Sequence, residues 1–194
     1  MRAHRFSRFA LVAALRFVPL HPLWAAEKPI DTERSTITVH VGKAGILAMA
    51  GHEHWVNAPI ASGVIDESAG RVEFRVQTAS MKVKPDPKIS VTTQDTIQKD
   101  MEEMALETAK YPEISFRSTS VQKQAEGQFK VEGTLTLHGV SKPVSVSVKH
   151  AGDSWTGHTV IKQTDFGIKP ISVGGGAVRI KDSLDIDFAV FARP

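Results

Sequence analysis

A chain of 194 residues without a single cysteine must be held by burial and backbone hydrogen bonding alone, which excludes disulfides, thiol catalysis and thiolate metal sites. Its 24 Lys and Arg against 21 Asp and Glu give a formal charge of +3, but the excess sits at one end. Residues 1–25 hold Arg2, Arg5, Arg8 and Arg16 and no acid; without them 20 basic residues face 21 acidic ones, a charge of −1, and a general attraction to nucleic acid or anionic lipid disappears.

The basic stretch Met1 to Arg8 leads into the apolar run Phe9 to Leu20, which has signal-peptide length and is too short to span a bilayer. Leu23-Trp24-Ala25 offers a small-residue cleavage site. Residues 1–25 are therefore expected to be a signal peptide, and the mature protein to be periplasmic or secreted. Residues 26–33 read as a flexible lead-in and residues 34–194 as one domain, long enough to build a real core. No later apolar run reaches spanning length, so no transmembrane segment is expected in the mature form.

From Arg34 onward the dominant signal has period two. Ile37, Val39 and Val41 alternate with polar residues, as do Val72, Phe74 and Val76. Phe129, Val131, Leu135 and Leu137 share a face; Val144, Val146 and Val148, and later Leu184, Ile186, Phe188 and Val190, repeat the pattern. Such alternation predicts strands with one buried and one wet face, the mark of antiparallel sheets. Turn residues punctuate the runs at Asp66–Gly70, Ala125–Gly127, Gly139–Pro143, Ala151–Asp153 and Gly174–Gly176. Eight or nine strands so spaced fit an up-and-down barrel or a sandwich.

One segment breaks the pattern. Asp95 to Leu106 places Ile97, Met101, Met104 and Ala105 at helical spacing, predicting a short amphipathic helix inserted between strands. Its methionines would either adapt to a flexible ligand or plug one end of the barrel.

The sharpest local feature is Gly51-His52-Glu53-His54. His-x-His in a strand puts both imidazoles on one face, a common way to supply two metal ligands, although zinc asks for at least one more. A metal- or haem-binding redox accessory role using His52 and His54 is the alternative to ligand binding by the barrel. Gly174-Gly175-Gly176 precedes a strand rather than a helix and is read as a turn, not a phosphate loop. Asp185 and Asp187 fall on a wet strand face, and Asp165 has no partner base. No nucleophile, base and oxyanion site assemble, so no enzyme is expected and no catalytic residue is assigned.

Four segments in order then carry a resemblance: residues 111–118 (YPEISFRS), 131–144 (VEGTLTLHGVSKPV), 163–168 (QTDFGI) and 178–184 (VRIKDSL). The series resembles the YceI-like family of exported lipid-binding proteins, over most of the chain after Asp31. The resemblance implies an all-β, lipocalin-like, eight-stranded antiparallel barrel with a short helical insert and an internal apolar channel. It also implies a polyisoprenoid ligand in the periplasm, such as an isoprenoid quinone or its precursor, or another long-chain, fatty-acyl lipid, and it admits a homodimer. The Gly-His-x-His motif stands where many members carry a less polar segment. The wall of such a channel would come from the inward faces: Val39, Phe74, Val76, Phe116, Phe129, Leu135, Leu137, Val146, Ile186 and Phe188, with Met101 and Met104 at one end. His52, His54 and Arg117 are the expected head-group contacts at the mouth. Periodicity alone does not separate a cavity from a filled core.

Overall fold

A computed structural model describes residues 27–45, 52–173 and 177–193. The expected signal peptide at residues 1–25, Gly51 and the Gly174-Gly175-Gly176 turn lie outside the described residues.

The alternating runs form strands where their period predicts. They are β1 (Lys28–Pro29), β2 (Thr36–Ala44), β3 (His54–Asn57), β4 (Ile60–Asp66), β5 (Arg71–Gln77) and β6 (Lys82–Val83). After a helix, α1 (Val91–Asp100), come β7 (Glu113–Ala125), β8 (Gln128–Leu137), β9 (Val140–Ala151), β10 (Ser154–Lys162), β11 (Ser172–Val173) and β12 (Val178–Phe191). Each ladder is antiparallel, in the order β1-β4-β5-β7-β8-β9-β10-β12-β2-β3-β6, with β11 beside β12.

The sheet curls until its ends meet. β3 runs on into β4 through Ala58-Pro59, where the chain leaves β2 and joins β5. The Ala58 N–H still reaches the Ile37 carbonyl at 2.9 Å, while Pro59 has no N–H to give, so the ladder changes partner at that point. Counted as one bent strand, β3 and β4 complete a wall of eight with β2, β5, β7, β8, β9, β10 and β12. The remaining strands, β1, β6 and β11, are two-residue pieces, which is why the count exceeds the expected eight. Bulges between β4 and β5, β7 and β8, and β12 and β2 supply the local bending that closure needs.

The expectation of a flexible lead-in at residues 26–33 is corrected. Pro29 and Lys28 pair with Val64 and Ile65 of β4, and Ile30, 2 % exposed, sits in the core. Ile30 also bridges to Ala192, with Asp31 N–H donating to Phe191 O at 2.8 Å and Arg193 N–H to Pro29 O at 2.8 Å. The segment thus seams β4 to the end of β12. A single isoleucine among polar residues has no period and gives no signal in the sequence.

The β8–β9 hairpin turns through His138 and Gly139, both at positive φ (51° and 73°), the conformation that matches a two-residue loop to strand twist. His138 tolerates it with its ring against Tyr111, at 4.1 Å between centroids, and its Nε2 2.6 Å from Glu107 Oε2. Beneath this corner the short helical turn Gln163–Phe166 drives Phe166 into the core with Ile161, Ile168 and Leu137.

Candidate ligand-binding site

The inward faces do not meet in the middle. They surround a cavity of about 740 Å³, within the range of pockets that take a small organic ligand. Val39, Phe74, Val76, Phe116, Phe129, Leu135, Leu137, Val146, Ile186 and Phe188 all line it, as the alternation predicts.

Two glycines keep the centre open. Gly133 shares the inward phase of Val131 and Leu135, and a Cβ there would strike the Phe116 ring and approach the Arg117 carbonyl oxygen to 2.6 Å. Gly157 lies directly opposite Phe188; its Cβ would meet Phe188 Cε1 at 2.9 Å and Ser147 O at 2.6 Å. Gly63 stands opposite Phe74, but the space beside it is taken by the Ile30 side chain, whose Cδ1 lies 2.6 Å from where a Cβ would be. The Phe116 and Phe188 rings therefore each lie over a bare stretch of neighbouring strand. The Phe74 and Phe116 rings also stack, 5.5 Å apart at 26°. Rings held flat against the wall leave the lumen free.

One end is the mouth. His52 and His54 line it from β3 and the residues just before, with ring centroids 6.4 Å apart, on one face as His-x-His requires. Lys43, in the inward phase of β2, lines the same end, and Arg179, paired with Ala44 on the outer phase, borders it. Across the opening, α1 turns Thr93, Thr96, Ile97 and Asp100 inward, and Met101 follows. The helix buries no residue of its own and is held by amides. Gln98 accepts the Val83 N–H at 2.8 Å and donates to Met81 O at 3.0 Å, and Gln94 donates to Ile89 O at 2.8 Å. At the other end the cavity reaches Asp66, Glu67, His150 and Trp155, whose ring stacks on His150 at 4.4 Å and 6°.

Two expected contacts are not in the cavity. Arg117 follows the inward Phe116, so alternation throws it outside; its side chain is 69 % exposed, with Nε 3.3 Å from Glu73 Oε1. Met104 is also corrected: it points to solvent, 61 % exposed. Helix α1 starts at Val91, capped by the Ser90 side chain, earlier than the apolar spacing predicts. It then widens into a π-turn over Met101–Ala105, with Leu106 N–H reaching Met101 O at 2.9 Å. A wider turn advances each residue through a smaller angle, which swings Met104 off the face that Met101 occupies and buries Leu106 instead. Conversely, Trp155, Gly157, Thr159 and Ile161 form an inward phase whose small and polar members hide it, and Lys43 simply extends the phase of Ile37, Val39 and Val41.

Burial, reinforced by neighbouring His52, lowers the His54 pKa from its ordinary value of 6.5, with Asp86 pulling least and in the opposite direction. An unfolded chain takes up this proton before the folded one does, so stability is whole above the ordinary value and is lost as pH falls below it. Urea denaturation of His54→Gln is expected to lose part of the decline that the parent shows between about pH 7 and 5. Equal declines in both proteins would contradict this. Among the described residues, no group of three or more His, Asp or Glu is placed to hold a metal ion.

A family model for the YceI-like domain matches residues 29–192, almost the whole described barrel. The chain belongs to the YceI-like family. A UPF0312 protein of Shewanella oneidensis is 30 % identical over 181 residues, covering 87 % of this YceI-like chain and 89 % of its own. A UPF0312 protein of Pseudomonas putida is 40 % identical over 95 residues, 44 % of this chain and 46 % of the relative. Two solved structures share the YceI-like fold. Burkholderia cenocepacia BcnA has a TM-score of 0.58 at 18 % identity, covering 84 % of this chain and 99 % of that one. A polyisoprenoid binding domain from Saccharophagus degradans has a TM-score of 0.58 at 17 % identity, covering 85 % and 97 %. Among the described residues of this YceI-like chain, no helix is long and apolar enough to cross a membrane.

Proposed function

We propose that this protein is a periplasmic carrier that holds one isoprenoid-type or other long-chain lipid inside its barrel. The observation that carries this reading is the cavity itself: apolar along its length, with polar side chains gathered at its two ends. Such a shape binds by removing a chain from water. Each buried CH₂-sized group contributes roughly 0.8 kcal/mol, so two or three isoprene units would reach roughly micromolar affinity after ordering costs. No directed polar group is needed along the chain, and none of the wall strands offers one at mid-lumen except Thr159. The polyisoprenoid-binding description of the Saccharophagus degradans domain supports the same ligand class here. The basic and apolar opening of residues 1–25 supports export.

Trp155 faces the cavity and supplies the readout. Titrating the delipidated protein with geranylgeraniol is expected to change tryptophan fluorescence saturably, with one ligand per barrel. A protein that is folded yet shows no saturable change would overturn the proposal.

A further inference from the structure

The apolar stretch of the cavity has a definite length, because polar groups bound it at both ends. At the mouth the lining passes to Lys43, His52, His54 and Asp100. At the far end three rings stand on three neighbouring strands. Trp155 of β10 lies directly opposite His150 of β9 and stacks on it at 4.4 Å and 6°. Phe129 of β8 meets His150 from the other side, 6.5 Å away at 57°. All three line the cavity, as do Asp66 and Glu67 of the turn at that end. Asp66 is held as a carboxylate by the Ser68 hydroxyl at 2.7 Å and the Ala69 N–H at 2.9 Å. A hydrocarbon end reaching that carboxylate would strip water from a charge, so burial stops being favourable at the rings.

Two measures of the stretch agree. On β8 the inward residues run from Phe129 to Leu137. Eight steps of about 3.3 Å, tilted by about 40° as barrel strands are, give about 20 Å along the axis. An extended chain advances about 1.2 Å per bond, so the four chain bonds of an isoprene unit cover about 5 Å. The length therefore takes about four units. The cavity volume of about 740 Å³ holds roughly two dozen groups the size of a water or a methylene, at about 30 Å³ each, which is again four to five units of five carbons. We propose that the lumen selects its ligand by chain length, taking a prenyl chain of about four isoprene units, and that the stacked pair of Trp155 and His150 is the stop that sets this length. Units beyond the fourth stay outside the mouth and gain nothing from the wall. This rests on the lumen binding a chain at all, and the test separates the two.

Prenyl alcohols of two, three, four, five and nine units (geraniol, farnesol, geranylgeraniol, geranylfarnesol and solanesol) share one head group and differ in length. Each would be made to displace radiolabelled geranylgeraniol from the delipidated full chain. Affinity is expected to rise at least tenfold per unit from two to four, since every added unit is buried, and to stay within about twofold from four to nine. Trp155→Ala removes about the volume of one unit from the stop. Geranylfarnesol is then expected to bind at least fivefold more tightly than geranylgeraniol, so that the break moves from four units to five. His150→Ala takes away the other half of the stack and carries the same comparison if Trp155→Ala does not fold. Affinity that keeps climbing from four units to nine, a break already at three, or a break at four that stays there in the variants would overturn the length stop and leave the lipid-carrying lumen standing. Failure of every alcohol to bind would bring down the hollow-lumen reading along with it.

Discussion

Gly133→Ala and Gly157→Ala are expected to destabilise the protein by about 1–3 kcal/mol each and to weaken lipid binding at the same time. The direction is the informative part. Where the added methyl has room, alanine in place of a strand glycine stabilises by about 0.5–1 kcal/mol, because the unfolded chain loses freedom. Here there is no room. The new Cβ of Gly133 meets the Phe116 ring on one side and the Arg117 carbonyl on the other, and that of Gly157 meets the Phe188 ring and the Ser147 carbonyl. The carbonyls belong to paired strands and cannot retreat without breaking the ladder, so the rings must move. Their free direction is into the lumen that they line. Chemical denaturation would read the stability, and titration with geranylgeraniol the binding. Gly152→Ala is the matched control, since nothing lies within 4 Å of its Cβ, although its positive φ of 63° adds a backbone penalty of its own. Stability that rises in Gly133→Ala and Gly157→Ala, with binding intact, would mean that the rings do not sit on these glycines.

Phe166→Ala is expected to cost about 3–5 kcal/mol, a large share of the roughly 5–15 kcal/mol that holds a domain together. Phe166 is 1 % exposed, packed with Leu137, Ile161 and Ile168, and does not itself line the cavity that those three border. Phe188→Ala is expected to cost clearly less. One side of that ring already faces empty space, and a side chain bordering a void has fewer partner atoms to lose. Comparing the two unfolding free energies therefore reports on whether the barrel is hollow. Equal costs would indicate a filled interior around Phe188.

Much of this architecture was legible in the sequence because a strand repeats every two residues. The parity of Val39, Phe74, Phe116, Leu135, Val146 and Ile186 placed them on the wall, and His-x-His placed both imidazoles on one face. The same parity applied strictly would have put Arg117 outside and Lys43 inside. Other features left no periodic trace. Gly133 and Gly157 read as weak strand positions, although their meaning lies in phenyl rings on neighbouring strands. A π-turn has no sequence period of its own, so the helical spacing that placed Met101 correctly misplaced Met104. Ile30 seams the barrel through a contact with Ala192, and a pairing that distant is fixed by the closed sheet rather than by local pattern. Openness itself belongs to this group. A hollow barrel and a filled one share the same alternation, and only the placement of rings over glycines tells them apart.

The hollow barrel is tested most directly by purifying the protein from its native host under gentle conditions, extracting it with organic solvent, and identifying the extract by mass spectrometry. One long apolar molecule per barrel, isoprenoid or acyl, is the expected result, and it should be absent from parallel extracts of a lumen-narrowed Gly157→Leu protein that still folds. An extract with no stoichiometric lipid, from a protein whose crystal structure shows a dry interior too small for an acyl chain, would contradict it.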